Sequence, residues 1–399
     1  MTIATATDSA KSDISESVTL DGVTYPIRGR IDAGADAFVD AFIANFRTGE
    51  ETGASAAFWQ DGRLVADLWG GFQDEDCTKP WQENTLVNGM SSTKPVAATC
   101  FHMLVDRGEV SLDDPIDRYW PEFGYNGKEG ALIRWILDHR IGLPSIPAPF
   151  WPNDLFDHDG LCAALAAATP EWKPGTDAGY HVRTYGFLLK EVFKRVSGRD
   201  IGEFLRTEVT EPFDIDYWIG LPESEHDRVA DFLSETEGTI YASDIARDAP
   251  LAKASPAIPR EMYNSAQWKS AVLPASNGMG NARSLSKFYA ILARGGELDG
   301  KRLISAEAVE TATATQHSIH ERVMDRTYNQ ALGFLRSSPP IVVFGPGDRS
   351  FGHQGAGGAL GFGDPEARVG FAYLQNKMHN RRENGPRAKR LIDATYSII

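Results

Sequence analysis

The sequence predicts an α+β fold: an antiparallel sheet flanked by helices and built from both ends of the chain, with a mainly helical lobe inserted between them. Strand-like apolar runs with tight-turn signals occur early in the chain, and β-rich runs return late. The middle is filled by helix-period segments broken at Pro and Gly. Residues 1–17 are expected to form a flexible tail, 18–110 and 271–399 an α/β lobe, and 111–270 the helical lobe.

Each element follows from a local pattern. Residues 1–17 are rich in Thr, Ser, Ala and Asp, and Val18 to Ile27 alternates around Asp21-Gly22, a short hairpin signal. Ala35, Phe38, Val39, Phe42, Ile43 and Phe46 recur at helical spacing. Ala54 to Trp59 and Leu64 to Trp69 flank Asp61-Gly62, whose residues suit the positive φ of a tight turn between strands. From Pro95 to Val105 the apolar period is helical again, with Pro95 tolerated in the first turn and Gly108 placed to end the helix. Helices are expected at Leu132 to His139, Leu161 to Ala168, Thr184 to Val196, Ile201 to Val209 and Leu285 to Arg294. Ile341 to Phe344 and Val369 to Leu374 read as strands, and Arg387 to Tyr396 as a last helix. A cleft between the two lobes is the expected ligand site.

Composition narrows the function. A net charge of −15 disfavours phosphate backbones and anionic lipid surfaces, so neither nucleic acid nor a membrane is an expected partner. No stretch reaches the roughly 18 consecutive apolar residues of a membrane span. Cys77, Cys100 and Cys162 are odd in number and show neither a CxxC nor a Cys/His cluster, which speaks against a disulfide framework and a structural zinc site. The N-terminus lacks a basic start and an apolar run, so export is not expected and a cytoplasmic location is.

Three motifs can carry chemistry. Ser91-Ser92-Thr93-Lys94 is a Ser-x-x-Lys at a helix start; three residues along a helix is about one turn, so Lys94 reaches Ser91, and the helix N-terminus favours an anionic oxygen there. Tyr180 follows the turn Pro174-Gly175-Thr176-Asp177-Ala178-Gly179, from which its hydroxyl can enter a cleft as a proton acceptor beside a lysine. His353-Gln354-Gly355-Ala356-Gly357-Gly358 precedes a clear strand, and its glycines let a ligand approach backbone N–H groups closely. Each has a plain alternative when taken singly: an N-capping serine, a tyrosine packed under a helix, a Gly-rich hairpin turn.

Their joint occurrence in chain order resembles the serine β-lactamase and penicillin-binding-protein superfamily, and most closely its esterase branch, the family VIII carboxylesterases. Ser91/Lys94, Tyr180 and His353/Gly355 match that pattern in order. Leu112-Asp113-Asp114-Pro115 to Phe123, Leu137 to Pro144 and Ala331-Leu332-Gly333-Phe334 also look like the family, so the resemblance runs from about residue 30 to the end. It implies a β-lactamase/transpeptidase-like fold, class C-like. It also implies an esterase acting through an acyl-enzyme on Ser91, with Lys94 and Tyr180 as the proton-transfer pair and the N–H groups of Ser91 and Ala356 as oxyanion donors. Which of Lys94 and Tyr180 takes the serine proton stays open.

Two departures bear on the substrate. Val182 stands where many relatives have Asn, and His353-Gln354-Gly355 stands where lactamases have Lys-Thr-Gly, removing a permanent cation for a β-lactam carboxylate. Both favour a small-molecule ester; a β-lactamase, D-amino-acid peptidase or amidase is the alternative, and an inactive binding protein a more remote one. Trp151, together with Phe150, Phe156, Tyr217 and Trp218, is a candidate for lining the pocket, with core packing as the default. No cofactor is expected. His317, His320 and Glu321 raise a metal site only weakly, as a solvated helix face explains them, and His139 and His181 are expected to be structural.

Overall fold

The computed structural model describes residues 11–234, 249–379 and 383–399. Nine strands form the main sheet: β1 Ser12–Leu20, β2 Val23–Ile31, β3 Gly53–Gln60, β4 Arg63–Gly71, β5 Asn329–Gln330, β6 Leu335–Arg336, β7 Phe351–Gln354, β8 Leu360–Asp364 and β9 Val369–Gln375, in the order β1-β2-β4-β3-β9-β8-β7-β6-β5. Every neighbouring pair is antiparallel. The two chain ends meet at β3 and β9, where Ala57 faces Ala372 and Phe58 faces Phe371. Both predicted tight turns form, with φ of 51° and 83° at Asp21-Gly22 and 49° and 81° at Asp61-Gly62.

Period-two alternation sorts the sheet into two faces with different jobs. Phe58, Phe362 and Phe371 point to one face, where they meet Phe38 and Phe42 of helix α1 (Asp36–Arg47) and Leu391 of the C-terminal helix Gly385–Ile398. Ala57, Gly361, Gly370 and Ala372 lie on the other, against the helix Ala282–Ala293. The small residues are required there: a Cβ on Gly370 would stand 2.2 Å from the Ala290 N, and one on Gly361 2.4 Å from the Tyr289 ring. Helix α2, Thr93–Asp106, packs beside β7, and its residues from Thr93 to Leu104 are all buried, as befits a helix enclosed by protein. The remaining long helices of the inserted part are α3, His158–Ala167, and α4, Thr184–Ser197.

The structure departs from the sequence pattern at four places. Strand β1 starts at Ser12, inside the expected 1–17 tail, because all nine of its residues pair with β2; residues 1–10 lie outside the described residues. Ile341 to Phe344 is not a strand: Pro339 and Pro340 carry no N–H, and the Ser338 N bonds the Val342 O at 2.7 Å, closing a turn. Leu132 to His139 yields only Arg134–Leu137 as helix, since the Ile133 and Arg134 amides bond the Asp114 and Leu112 carbonyls and His139 turns left-handed at φ 63°. Ile201 to Val209 is helical to Phe204 and then widens into a π-type turn over Leu205–Thr210.

Candidate active site

Ser91 sits in a tight helical turn, Met90–Ser92, just before α2. The turn is clamped from all sides: the Asn88 side chain accepts the Met90 N–H at 2.9 Å, the Ser92 hydroxyl donates to the Gly89 O at 2.7 Å, and the Thr93 hydroxyl donates to the Met90 O at 2.6 Å. Met90 takes a left-handed φ of 50°, a conformation that costs energy for a non-glycine residue and persists only because those bonds hold it. The seryl side chain is 9 % exposed, at the N-terminal end of a buried helix.

One turn on, the Lys94 Nζ lies 3.2 Å from the Ser91 Oγ, 3.0 Å from the Val182 O and 3.1 Å from the Ala275 O. No carboxylate is among these contacts. Burial first, and the charge of Arg183 second, hold the Lys94 amine well below its ordinary pKa of 10.5. Two carbonyls can only accept, so they use two N–H bonds of the amine; in the neutral form the remaining lone pair faces the serine hydroxyl. Val182 thus reaches the site through its carbonyl, not through its side chain.

Tyr180 is positioned from both ends. The buried Glu321 carboxylate accepts its backbone N–H at 2.7 Å and those of Val323 and Met324 at 3.0 and 2.7 Å, which fixes the chain entering the site. The tyrosine ring packs against His139 at 4.9 Å and His353 at 6.0 Å, and the Lys94 Nζ stands 4.7 Å from its centroid. Lysine, serine and tyrosine therefore share one buried volume.

The strand β7 brings His353 and Gln354 to the same place. Gly355, just beyond its end, is dictated by close approach: a Cβ there would stand 2.3 Å from the Gly89 O, in the serine turn itself. His353 donates from Nδ1 to the Gln354 O at 2.6 Å, which leaves Nε2 as a bare acceptor, buried and without a hydrogen-bond partner among the described residues. Burial, and the Lys94 charge whenever that amine is protonated, push its pKa down to about 3, so the ring is neutral. Ala356 follows at 8 % exposure. The Gly357 O behind it accepts from the Gln375 Nε2 at 2.6 Å and from Arg387 at 3.3 Å. A narrow pocket opens here, lined by Tyr180, Met324, Tyr328, His353 and Ala356 among others.

The predicted residues Ser91, Lys94, Tyr180 and His353 to Ala356 thus converge. Trp151 does not join them: it is 69 % exposed and lines none of the described cavities. Tyr217 is core, packed on Gly280. His317, His320 and Glu321 diverge: His317 bonds the Asp138 O, His320 is exposed beside Asp325, and Glu321 turns inward to hold Tyr180. The last two form a short strand, so no helix face exists there. Sequence reasoning also missed Ala275 and Arg183, whose contributions, a carbonyl and a charge, leave no residue-type signal. The expectation of no Cys/His cluster is corrected too. His158 and Cys162 lie one helical turn apart on α3, so their side chains meet, with the Cys162 Sγ 3.5 Å from the His158 Nε2. All three thiols are unpaired.

Among the described residues, no helix is long and apolar enough to cross a membrane. The chain matches the Beta-lactamase family over residues 39–395. It is 34 % identical over 358 residues to the esterase/beta-lactamase LipL of Mycobacterium tuberculosis, covering 85 % of this chain and 80 % of that protein. A family VIII carboxylesterase structure superposes with a TM-score of 0.86 at 36 % identity, over 94 % of this chain and all of the other. A penicillin-binding-protein homolog from Caulobacter crescentus gives 0.86 at 37 % identity over the same shares. The β-lactamase/transpeptidase-like fold is shared throughout, and the chain belongs to the beta-lactamase family.

Proposed function

We propose that the protein hydrolyses carboxylic esters through an acyl-enzyme on Ser91. The observation that carries this is the seat of Lys94: a buried amine whose N–H bonds are taken by two carbonyls and whose third direction ends on the serine hydroxyl. Lys94, held neutral by burial, takes the proton as the Ser91 Oγ attacks the acyl carbon. Negative charge on the carbonyl oxygen falls between the N–H groups of Ser91 and Ala356; the tight approach of Gly355 to Gly89 supports that pairing. Tyr180, whose ring lies against the same amine, gives its hydroxyl proton to the leaving alcohol oxygen and is reprotonated by the Lys94 ammonium, which returns that amine to its neutral form. Water then enters by the reverse sequence and frees the acid.

Esters are favoured over β-lactams because His353 is neutral and offers an acceptor instead of a cation, so nothing at that position pairs with a β-lactam carboxylate. The similarity to a family VIII carboxylesterase and to an esterase/beta-lactamase supports the same class. The double name of the latter is the reason to keep cephalosporin turnover as a second reading. The test is covalent labelling by a fluorophosphonate, with the adduct mass mapped to Ser91 and absent from Ser91→Ala. Comparing a short-chain p-nitrophenyl ester with a chromogenic cephalosporin decides between the readings: the ester is expected to turn over faster, and a faster cephalosporin would overturn the substrate assignment.

A further inference from the structure

A second constellation of reactive side chains lies away from Ser91 and has no part in the chemistry above. His158 and Cys162 occupy successive turns of α3, and Glu191 faces them from α4. The His158 Nε2 is 3.0 Å from the Glu191 Oε2 and 3.5 Å from the Cys162 Sγ, and one ligand atom from each of the three lies within 4.8 Å of the others. We propose that His158, Cys162 and Glu191 bind a zinc-like divalent cation that ties α3 to α4.

Two of the three ligand spacings already suit the ion. Zinc bonds of about 2.0–2.1 Å to nitrogen and about 2.3 Å to sulfur, in a tetrahedron, separate those two atoms by about 3.5 Å, the spacing found here. The same bonds separate nitrogen and carboxylate oxygen by about 3.3 Å, close to the 3.0 Å between His158 and Glu191. An imidazole, a thiol and a carboxylate suit zinc or cobalt better than calcium or magnesium, which take oxygen alone.

The surroundings fit as well. Arg195 donates to the other carboxylate oxygen, Oε1, at 2.6 Å, which orients Glu191 and leaves Oε2 toward the shared space, as outer partners of metal ligands do. Thiolate and carboxylate together carry the charge a divalent cation needs, and the two nearby cations have other partners besides, Arg195 pairing with Glu122 at 3.3 Å and Lys190 with Asp200 at 3.8 Å. Cys162 and Glu191 line an open groove that also holds Trp120, Glu122 and Arg195, a route by which an ion and a fourth, water ligand would enter. That groove shares no lining residue with the cavity beside Tyr180. Binding exchanges the Cys162 thiol proton for the metal and releases it to solvent; the His158 proton moves to Nδ1 as Nε2 turns from Glu191 to the ion.

The experiment is titration of the full chain with Co²⁺ after removal of metal by EDTA. One equivalent is expected to produce a near-ultraviolet thiolate-to-cobalt band and visible bands of tetrahedral intensity, both displaced by Zn²⁺. The thiolate band is lost in Cys162→Ser, binding weakens at least tenfold in Glu191→Gln, and neither changes in Cys77→Ser or Ser91→Ala. Glu191→Gln keeps its volume and serves if Cys162→Ser folds poorly. Absence of the thiolate band, its persistence in Cys162→Ser or its loss in Cys77→Ser alone would overturn the proposal.

Discussion

Lys94 and Arg387 are both about 1 % exposed, yet the chain surrounds them in opposite ways. Arg387 meets the Glu51 carboxylate at 2.9 Å, with the Tyr373 hydroxyl closing on the same carboxylate and carbonyls of Glu50, Gly357 and Lys377 accepting from its two Nη groups. Burial works against its charge, but Glu51, Tyr373 and Glu50 more than offset that, and its pKa is raised. Lys94 has only carbonyls and a hydroxyl around it, and Arg183 adds repulsion. A paired buried cation keeps its charge and ties the structure; one without a carboxylate partner is pushed toward its neutral form, the form the proposed mechanism needs. The two are joined through the Gly355 to Gly358 loop, which Arg387 holds from behind and the serine turn meets in front.

Replacing the reactive side of this contrast has the largest effect. Ser91→Ala is expected to abolish ester turnover, and Lys94→Ala to lower kcat/KM by about 10²–10⁴, the range for general acid and base groups, with little loss of unfolding free energy. A Lys94→Ala enzyme within a fewfold of the parent rate would break the comparison. On the structural side, Arg387→Met leaves Glu51 buried without its partner and is expected to cost about 3–5 kcal/mol, read by denaturant unfolding. A loss below 1 kcal/mol on the order-of-magnitude scale of exposed pairs would show that the tie is dispensable.

Between them lies Gly355→Ala. Its Cβ cannot coexist with the Gly89 O at 2.3 Å, so the strand end moves away from the serine turn; kcat is expected to fall by up to about a hundredfold, with a smaller change in KM. Retention of full kcat would dissociate this loop from catalysis. The smallest effect is in the pH profile. With the neutral amine as the proposed base, kcat/KM is expected to rise with pH through a midpoint well below 10.5, the ordinary lysine value. His353 titrates at about 3 and is already neutral across that limb, so His353→Gln is expected to leave the midpoint in place. A shifted midpoint in that variant would assign the limb elsewhere.

The frame of the fold was legible because periodicity and turn chemistry are local: Asp21-Gly22 and Asp61-Gly62 announced their hairpins, and Val96 to Val105 its helix. Ser91, Lys94 and Tyr180 were legible because their residue types and order carry chemistry. What stayed hidden depends on groups without a residue-type signature or on distant partners. The Ala275 carbonyl that helps hold Lys94 is one such group, and Glu321, which reads as a surface acid yet collects three backbone N–H groups around Tyr180, is another. Trp151, a pocket candidate with core packing as the default, is in neither place, because an aromatic in the helical lobe carries no information about which way its turn faces.

The most direct test is the proton occupancy of Lys94 itself, measured by NMR of ¹³C-labelled lysine side chains, with Lys94→Met identifying the resonance. This amine is expected to titrate well below 10.5, apart from the other lysines, and to keep that titration in Ser91→Ala. A Lys94 signal that titrates with the exposed lysines would contradict it, since the serine would then have a cation beside it in place of a base.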